Sequence, residues 1–71
     1  MHTFTVIDYF TWGDLKLDKG STILVEDLGK NEVGNETSVV NLEQYPEKKQ
    51  MVSTQAVYSM EQLNKIKRLS R

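Results

Sequence analysis

The sequence predicts a small, mainly β domain of the α+β class, in which five short strands form a barrel or a strongly bent antiparallel sheet before one C-terminal α-helix. β-branched and aromatic residues are concentrated in short stretches between turn-forming residues. A helix-start signal followed by apolar residues at helical spacing closes the chain. With 71 residues and no cysteine, we expect one domain, residues 1–71, with a thin core and no disulfide.

The first two strands are predicted over residues 3–10 and 14–18. In the first, Phe4, Val6 and Phe10 fall on one face, with threonines and other residues between them on the opposite face. The second strand is short and ends at an Asp-Lys-Gly sequence that is typical of a tight turn. The two strands therefore precede a reversal of the chain.

Three further strands are predicted over residues 22–28, 37–43 and 51–58. The first of these contains Ile23-Leu24-Val25, and three consecutive aliphatic residues indicate a central strand buried on both faces. A polar loop over residues 29–36 and a turn with the single proline separate the three strands.

The helix is predicted over residues 60–69. Ser59 and Gln62 have the spacing of a capping box, and Tyr58 and Leu63 occupy the positions of a hydrophobic staple. Apolar residues then follow at helical spacing: Met60, Leu63, Ile66 and Leu69.

The formal net charge of −1 does not indicate a nucleic-acid or membrane protein. Its distribution is uneven, because residues 1–47 have a net charge of −6 and residues 48–71 have a net charge of +5. The longest apolar runs contain two or three residues, so we expect no membrane-spanning segment. The first residues lack the basic and apolar regions of a secretory signal, and the cytoplasm is the expected compartment.

The segments Val6-Ile7-Asp8-Tyr9 and Asp14 to Val25 resemble the first half of an SH3 domain. That family begins with an Ala-Leu-Tyr-Asp-Tyr-like strand, continues through an acidic loop and reaches a Glu-Leu-Ser-Phe-x-x-Gly-Asp-x-Ile-x-Val sequence. The resemblance covers about residues 6–28 and implies a small SH3-like β-barrel.

The ligand-binding motifs of that family are not retained. Thr37-Ser38-Val39 stands where SH3 domains that bind proline-rich peptides have a tryptophan pair, and residues 53–58 lack the Pro-x-x-Tyr sequence. Only Tyr9 matches a ligand-contacting position of the family. The resemblance therefore supports the barrel and does not extend to binding of proline-rich peptides.

No pattern in the sequence indicates catalysis or a cofactor. His2 is the only histidine, there is no cysteine nucleophile, and no catalytic or phosphate-binding motif is found. Acidic residues near a glycine-bearing loop resemble oxygen ligands for calcium, but their spacing does not fit an EF-hand, and we interpret them as a solvated loop without metal: Glu26, Asp27, Glu32 and Glu36.

We expect a non-enzymatic protein-interaction module that binds an unidentified protein partner through aromatic residues: Tyr9, Trp12, Tyr45 and Tyr58. In the competing interpretation, Phe10 and Trp12 fill the core and the tyrosines cover its rim. In general character the chain is similar to small bacterial and phage proteins that bind a host factor. Homodimerisation through the apolar helix residues would stabilise a domain whose own core is thin.

The alternative function is nucleic-acid binding through a basic helix end formed by Lys65, Lys67, Arg68 and Arg71. Cations are also favoured at a helix C-terminus by the helix dipole alone. The acidic remainder of the chain would repel phosphate groups.

Overall fold

The computed structural model describes residues 2–69. Within them the elements are β1 (His2–Val6), β2 (Phe10–Trp12), β3 (Leu15–Leu17), β4 (Thr22–Lys30), β5 (Glu36–Leu42), β6 (Lys49–Ser53), α1 (Thr54–Gln62) and β7 (Ile66–Arg68). The predicted mainly β class with one helix is confirmed.

The larger sheet has five antiparallel strands in the order β6-β5-β4-β1-β7. β4 is central, as its aliphatic run predicts. Over residues 2–69 the sheet is open, with β6 and β7 at its edges, and no closed barrel is formed. The strands β2 and β3 make a separate two-stranded sheet.

The core lies between one face of the larger sheet, α1 and the β2–β3 hairpin. Strand alternation places Phe4 beside Ile23 and Val25 beside Val40 on this face, and all four are buried. Other buried apolar side chains join them: Val6, Trp12, Leu15, Leu17, Val57 and Ile66. Leu24 points to the opposite face and is only half-buried, so the predicted burial on both faces of β4 is wrong.

The predicted strand over residues 3–10 is two separate strands. β1 ends at Val6, and the N–H of Ile7 donates to the carbonyl of Lys65 at 2.8 Å. β2 begins at Phe10 and pairs with β3 rather than continuing in the larger sheet. Residues 7–9 therefore carry the chain from one sheet to the other.

The helix begins at Thr54, so the predicted strand 51–58 and the predicted start after Ser59 are wrong. Ser53 is the N-cap, and its side chain accepts a hydrogen bond from the backbone N–H of Gln55 at 3.1 Å. Thr54 and Val57, three residues apart, are both buried, so tertiary packing fixes this helical face. Ser59 lies inside the helix.

The helix ends at Gln62, so the prediction that it continues to residue 69 is wrong. Asn64 adopts a left-handed conformation with φ of 61°. The N–H of Lys65 donates to the carbonyl of Met60 at 2.9 Å, and that of Asn64 donates to Glu61 at 3.1 Å. These two bonds form a Schellman motif, after which Ile66 enters β7 and is buried beside Val6.

Candidate functional site

Trp12 is part of the core, so its predicted role in a surface patch is corrected. Its side chain is only 8% exposed. Its ring meets the ring of Phe10 edge to face, with centroids 5.0 Å apart. Strand alternation in the β2–β3 hairpin turns Trp12, like Leu15, toward the larger sheet.

Tyr9, Tyr45 and Tyr58 are each about half exposed, at 54%, 52% and 53%. Tyr9 lies between β1 and β2, Tyr45 lies between β5 and β6, and Tyr58 lies on α1. Lys48 Nζ is 5.3 Å from the centre of the Tyr45 ring. Among the clefts described over residues 2–69, Tyr45 and Tyr58 line different ones. The predicted tyrosines therefore do not form one patch.

The largest cleft described lies beside Tyr58, with a volume of about 860 Å³. One wall is the end of the β4–β5 hairpin, which contributes Asn35 and Glu36. The other side consists of the end of β6 and the first part of α1, with Met51 and Tyr58 among its residues. Met51 is 59% exposed, so the cleft presents an apolar and an aromatic side chain.

The hairpin wall is held by its own hydrogen bonds. The Asn31 side-chain oxygen accepts from the N–H groups of Val33 and Asn35, at 3.0 Å each. The N–H of Asn31 donates to the carbonyl of Asn35 at 2.9 Å. Gly34 has φ of 88°, a conformation that glycine adopts without a steric penalty. This wall is therefore preorganised for contact.

A buried hydroxyl pair fixes the helix side of the cleft. Ser38 Oγ on β5 and Thr54 Oγ1 at the start of α1 are 2.7 Å apart. Ser38 is 1% exposed and Thr54 is 6% exposed. Tyr58 follows Thr54 by four residues, which places it one turn along on a similar side of the helix. The Ser38–Thr54 bond therefore positions Tyr58 over the cleft.

A main-chain group of β5 is also directed toward the cleft. The N–H of Leu42 donates to the carbonyl of Lys48, so alternate β5 residues direct their main-chain groups toward β6. Glu36 belongs to this set. The β6 ladder ends where Thr37 pairs with Ser53, and the next position is occupied by the helical residue Thr54. In such an antiparallel ladder the Thr37–Ser53 pair is flanked by a bond from the Thr54 N–H to the Glu36 carbonyl, so it is the Glu36 N–H that is directed toward the cleft.

A second cleft, of about 550 Å³, lies beside Tyr45. Its charged lining residues have both signs: Lys16, Asp18, Lys19, Glu43 and Lys48. Because the charges are mixed, this cleft favours neither a cationic nor an anionic partner.

The predicted basic helix end is not formed, because the helix stops before Lys65. Lys67 and Arg68 are consecutive residues of β7 and so point to opposite faces of the sheet. The Arg68 guanidinium lies 3.3 Å from Glu61 Oε1 and 4.8 Å from the centre of the Phe4 ring. Arg71 lies outside the described residues.

Neither a metal-binding group nor a membrane-spanning helix is found among residues 2–69. No three histidine or acidic side chains there are grouped so that they would hold a metal ion. The helix in this part of the chain is too short to cross a bilayer.

The sequence predicted Tyr58 as a site residue, but it indicated Glu36 only as part of a solvated acidic loop and contained no signal for Ser38 or Thr54. Their roles depend on the position of the helix start, which the sequence pattern placed six residues too far along the chain. Comparisons of the chain with protein-family models, with curated proteins and with solved structures give no significant match.

Proposed function

We propose that the protein is a non-enzymatic protein-interaction module that docks an extended segment of a partner protein in the cleft beside Tyr58. One observation carries this proposal: the cleft combines the half-exposed Tyr58 ring with the main-chain N–H of Glu36. Tyrosine is a frequent anchor of protein interfaces. A strand N–H can donate to the backbone of an extended peptide, as it does when a peptide adds to a sheet.

An extended segment is favoured over a folded surface by the shape and chemistry of the cleft. A segment that continues the line of β6 would accept a hydrogen bond from the Glu36 N–H, because β6 turns into α1 at this position. Its side chains would meet Met51 and Tyr58. The amides of Asn35 and Gln55 also line the cleft, and an amide can both donate to and accept from a peptide backbone.

We also propose that the open sheet is a variant of the SH3-like barrel. The first and last strands, β1 and β7, are neighbours, and the β2–β3 hairpin stands where SH3 domains have their acidic loop. α1 occupies the segment before the last strand. We also propose a cytoplasmic location, which agrees with the absence of cysteine from the sequence.

The proposal is tested by selecting displayed random peptides on the immobilised protein and measuring their affinity by fluorescence anisotropy. Tyr58→Ala should weaken binding by about tenfold or more, the loss of one interface anchor. Tyr45→Ala is the matched control, because Tyr45 is exposed to the same extent in a different cleft. Selected peptides that bind both variants equally would contradict the proposal.

Two other outcomes would redirect the assignment. Retention of DNA or RNA in a low-salt gel shift, weakened by Lys67→Gln, would favour the nucleic-acid alternative. Sedimentation that shows a dimer whose formation is lost in Tyr58→Ala would mean that a second copy of the chain occupies the cleft.

A further inference from the structure

The Ser38–Thr54 pair at the helix start has one hydroxyl hydrogen more than the bond between the two residues uses. Each hydroxyl carries one hydrogen, and a single bond joins Ser38 Oγ and Thr54 Oγ1 at 2.7 Å. This is the one side-chain hydrogen bond that residues 2–69 show for either hydroxyl. The second hydrogen therefore needs an acceptor outside the pair, because a buried donor without an acceptor is costly in free energy.

The positions of the two residues decide which hydroxyl has the remaining hydrogen. Among the clefts described over residues 2–69, Ser38 lines a small cavity of about 40 Å³, whereas Thr54 lines both this cavity and the Tyr58 cleft. If Thr54 donated to Ser38, the Ser38 hydrogen would be left on a residue that is 1% exposed. If Ser38 donates to Thr54, the remaining hydrogen belongs to the residue in the cleft wall. The second direction is therefore favoured.

The Thr54 hydroxyl lies beside the other donor of the cleft, the main-chain N–H of Glu36. Thr54 follows Ser53, the last residue of the β6 ladder, and so occupies the position opposite Glu36. Ser38, to which Thr54 is bonded, lies two residues from Glu36 on the same face of β5. Both donors therefore lie where β6 leaves the sheet and where a docked segment would continue its line.

Resting on the proposed function, we infer that the Thr54 hydroxyl donates a hydrogen bond to a main-chain carbonyl of the docked segment, beside the Glu36 N–H. A carbonyl oxygen has two lone pairs and can accept from both donors. An extended segment presents carbonyl oxygens along its main chain whatever its side chains are. The charged side chains that line the cleft, Lys30 and Glu36, have opposite signs, so a neutral acceptor is favoured over a charged one.

Two double variants isolate the Thr54 hydroxyl, with affinity measured by fluorescence anisotropy for selected peptides that depend on Tyr58. Ser38→Ala is the common background, so every protein compared lacks the bond between sheet and helix. Adding Thr54→Val, which removes the hydroxyl and keeps the branched shape, should weaken binding about two- to tenfold, as for the loss of one hydrogen bond. Adding Thr54→Ser, which keeps the hydroxyl, should leave binding as in the background.

A peptide scan on the unmodified protein identifies the acceptor without any change to the fold. Conversion of one peptide amide to an ester, whose carbonyl is a weaker acceptor, should weaken binding at one position, and alanine at that position should not. Dependence on an Asn or Gln side chain in place of an ester-sensitive position would overturn the inference.

The outcomes separate this inference from the proposed function. Peptides that depend on Tyr58 but bind the Thr54→Val and Thr54→Ser double variants equally well would overturn the inference and leave the docking cleft intact. If no selected peptide depends on Tyr58, the docking cleft and the inference fail together. Thermal unfolding verifies that each double variant is folded, and the ester scan decides the matter if one is not.

Discussion

The hydroxyl oxygens of Ser38 and Thr54 lie 2.7 Å apart, in a buried position between β5 and the first residue of α1. Each hydroxyl has one hydrogen to donate, and one of them is used in this bond. The bond joins the sheet to the helix that carries Tyr58. The stability of the core and the geometry of the cleft therefore depend on the same pair.

Ser38→Ala should lower the free energy of unfolding by about 1–3 kcal/mol, because it leaves the buried Thr54 hydroxyl without its partner. Urea unfolding measures the change. Adding Thr54→Val removes the remaining polar group, so the double variant should be more stable than the sum of the two single effects predicts. Strictly additive losses would show that the two hydroxyls do not interact in solution.

The N-cap assignment predicts different effects at two serines. Ser53→Ala should cost about 0.5–2 kcal/mol of unfolding free energy, because it removes the side-chain acceptor for the Gln55 N–H. Ser59→Ala should change stability by less than about 0.5 kcal/mol, because Ser59 is an exposed residue inside the helix. Thermal and urea unfolding of both variants measure these changes. A larger loss of stability in Ser59→Ala than in Ser53→Ala would contradict the N-cap assignment.

The burial of Trp12 predicts a large loss of stability on truncation. Trp12→Ala should cost about 3–5 kcal/mol, as expected for removal of a buried aromatic side chain. Tyr9→Ala, at a residue that is 54% exposed, should stay within about 0.5 kcal/mol. Equal effects in urea unfolding would mean that Trp12 lies on the surface.

The sequence predicted the strands better than the helix because period-two alternation is set by burial of one sheet face. Ile23 and Val25 are buried as this pattern requires, and β4 is central. The helix start was misplaced because Ser59 and Gln62 match a capping box, whereas Ser53 has alanine three residues later. Here the buried contacts of Val57 outweigh the local signal.

The sequence contains a signal for the end of the helix, but the spacing of the apolar residues indicated a longer helix. Asn64 favours the left-handed conformation that ends a helix. However, Met60, Leu63 and Ile66 follow one another at three-residue steps, a helical spacing, and the short β7 strand cannot be recognised from three residues alone. The cleft could not be predicted for a related reason. Glu36 and Tyr58 line the same cleft only because α1 begins at Thr54, and the sequence pattern placed the helix start later.

Amide NMR shift mapping with a selected peptide will show whether a partner segment occupies the cleft beside Tyr58. If it does, the largest shifts should fall on Asn35, Glu36 and Gln55, with Tyr58 among the residues affected. Shifts centred on residues 43–48 around Tyr45, or on β7, with the residues of the Tyr58 cleft unchanged, would contradict it.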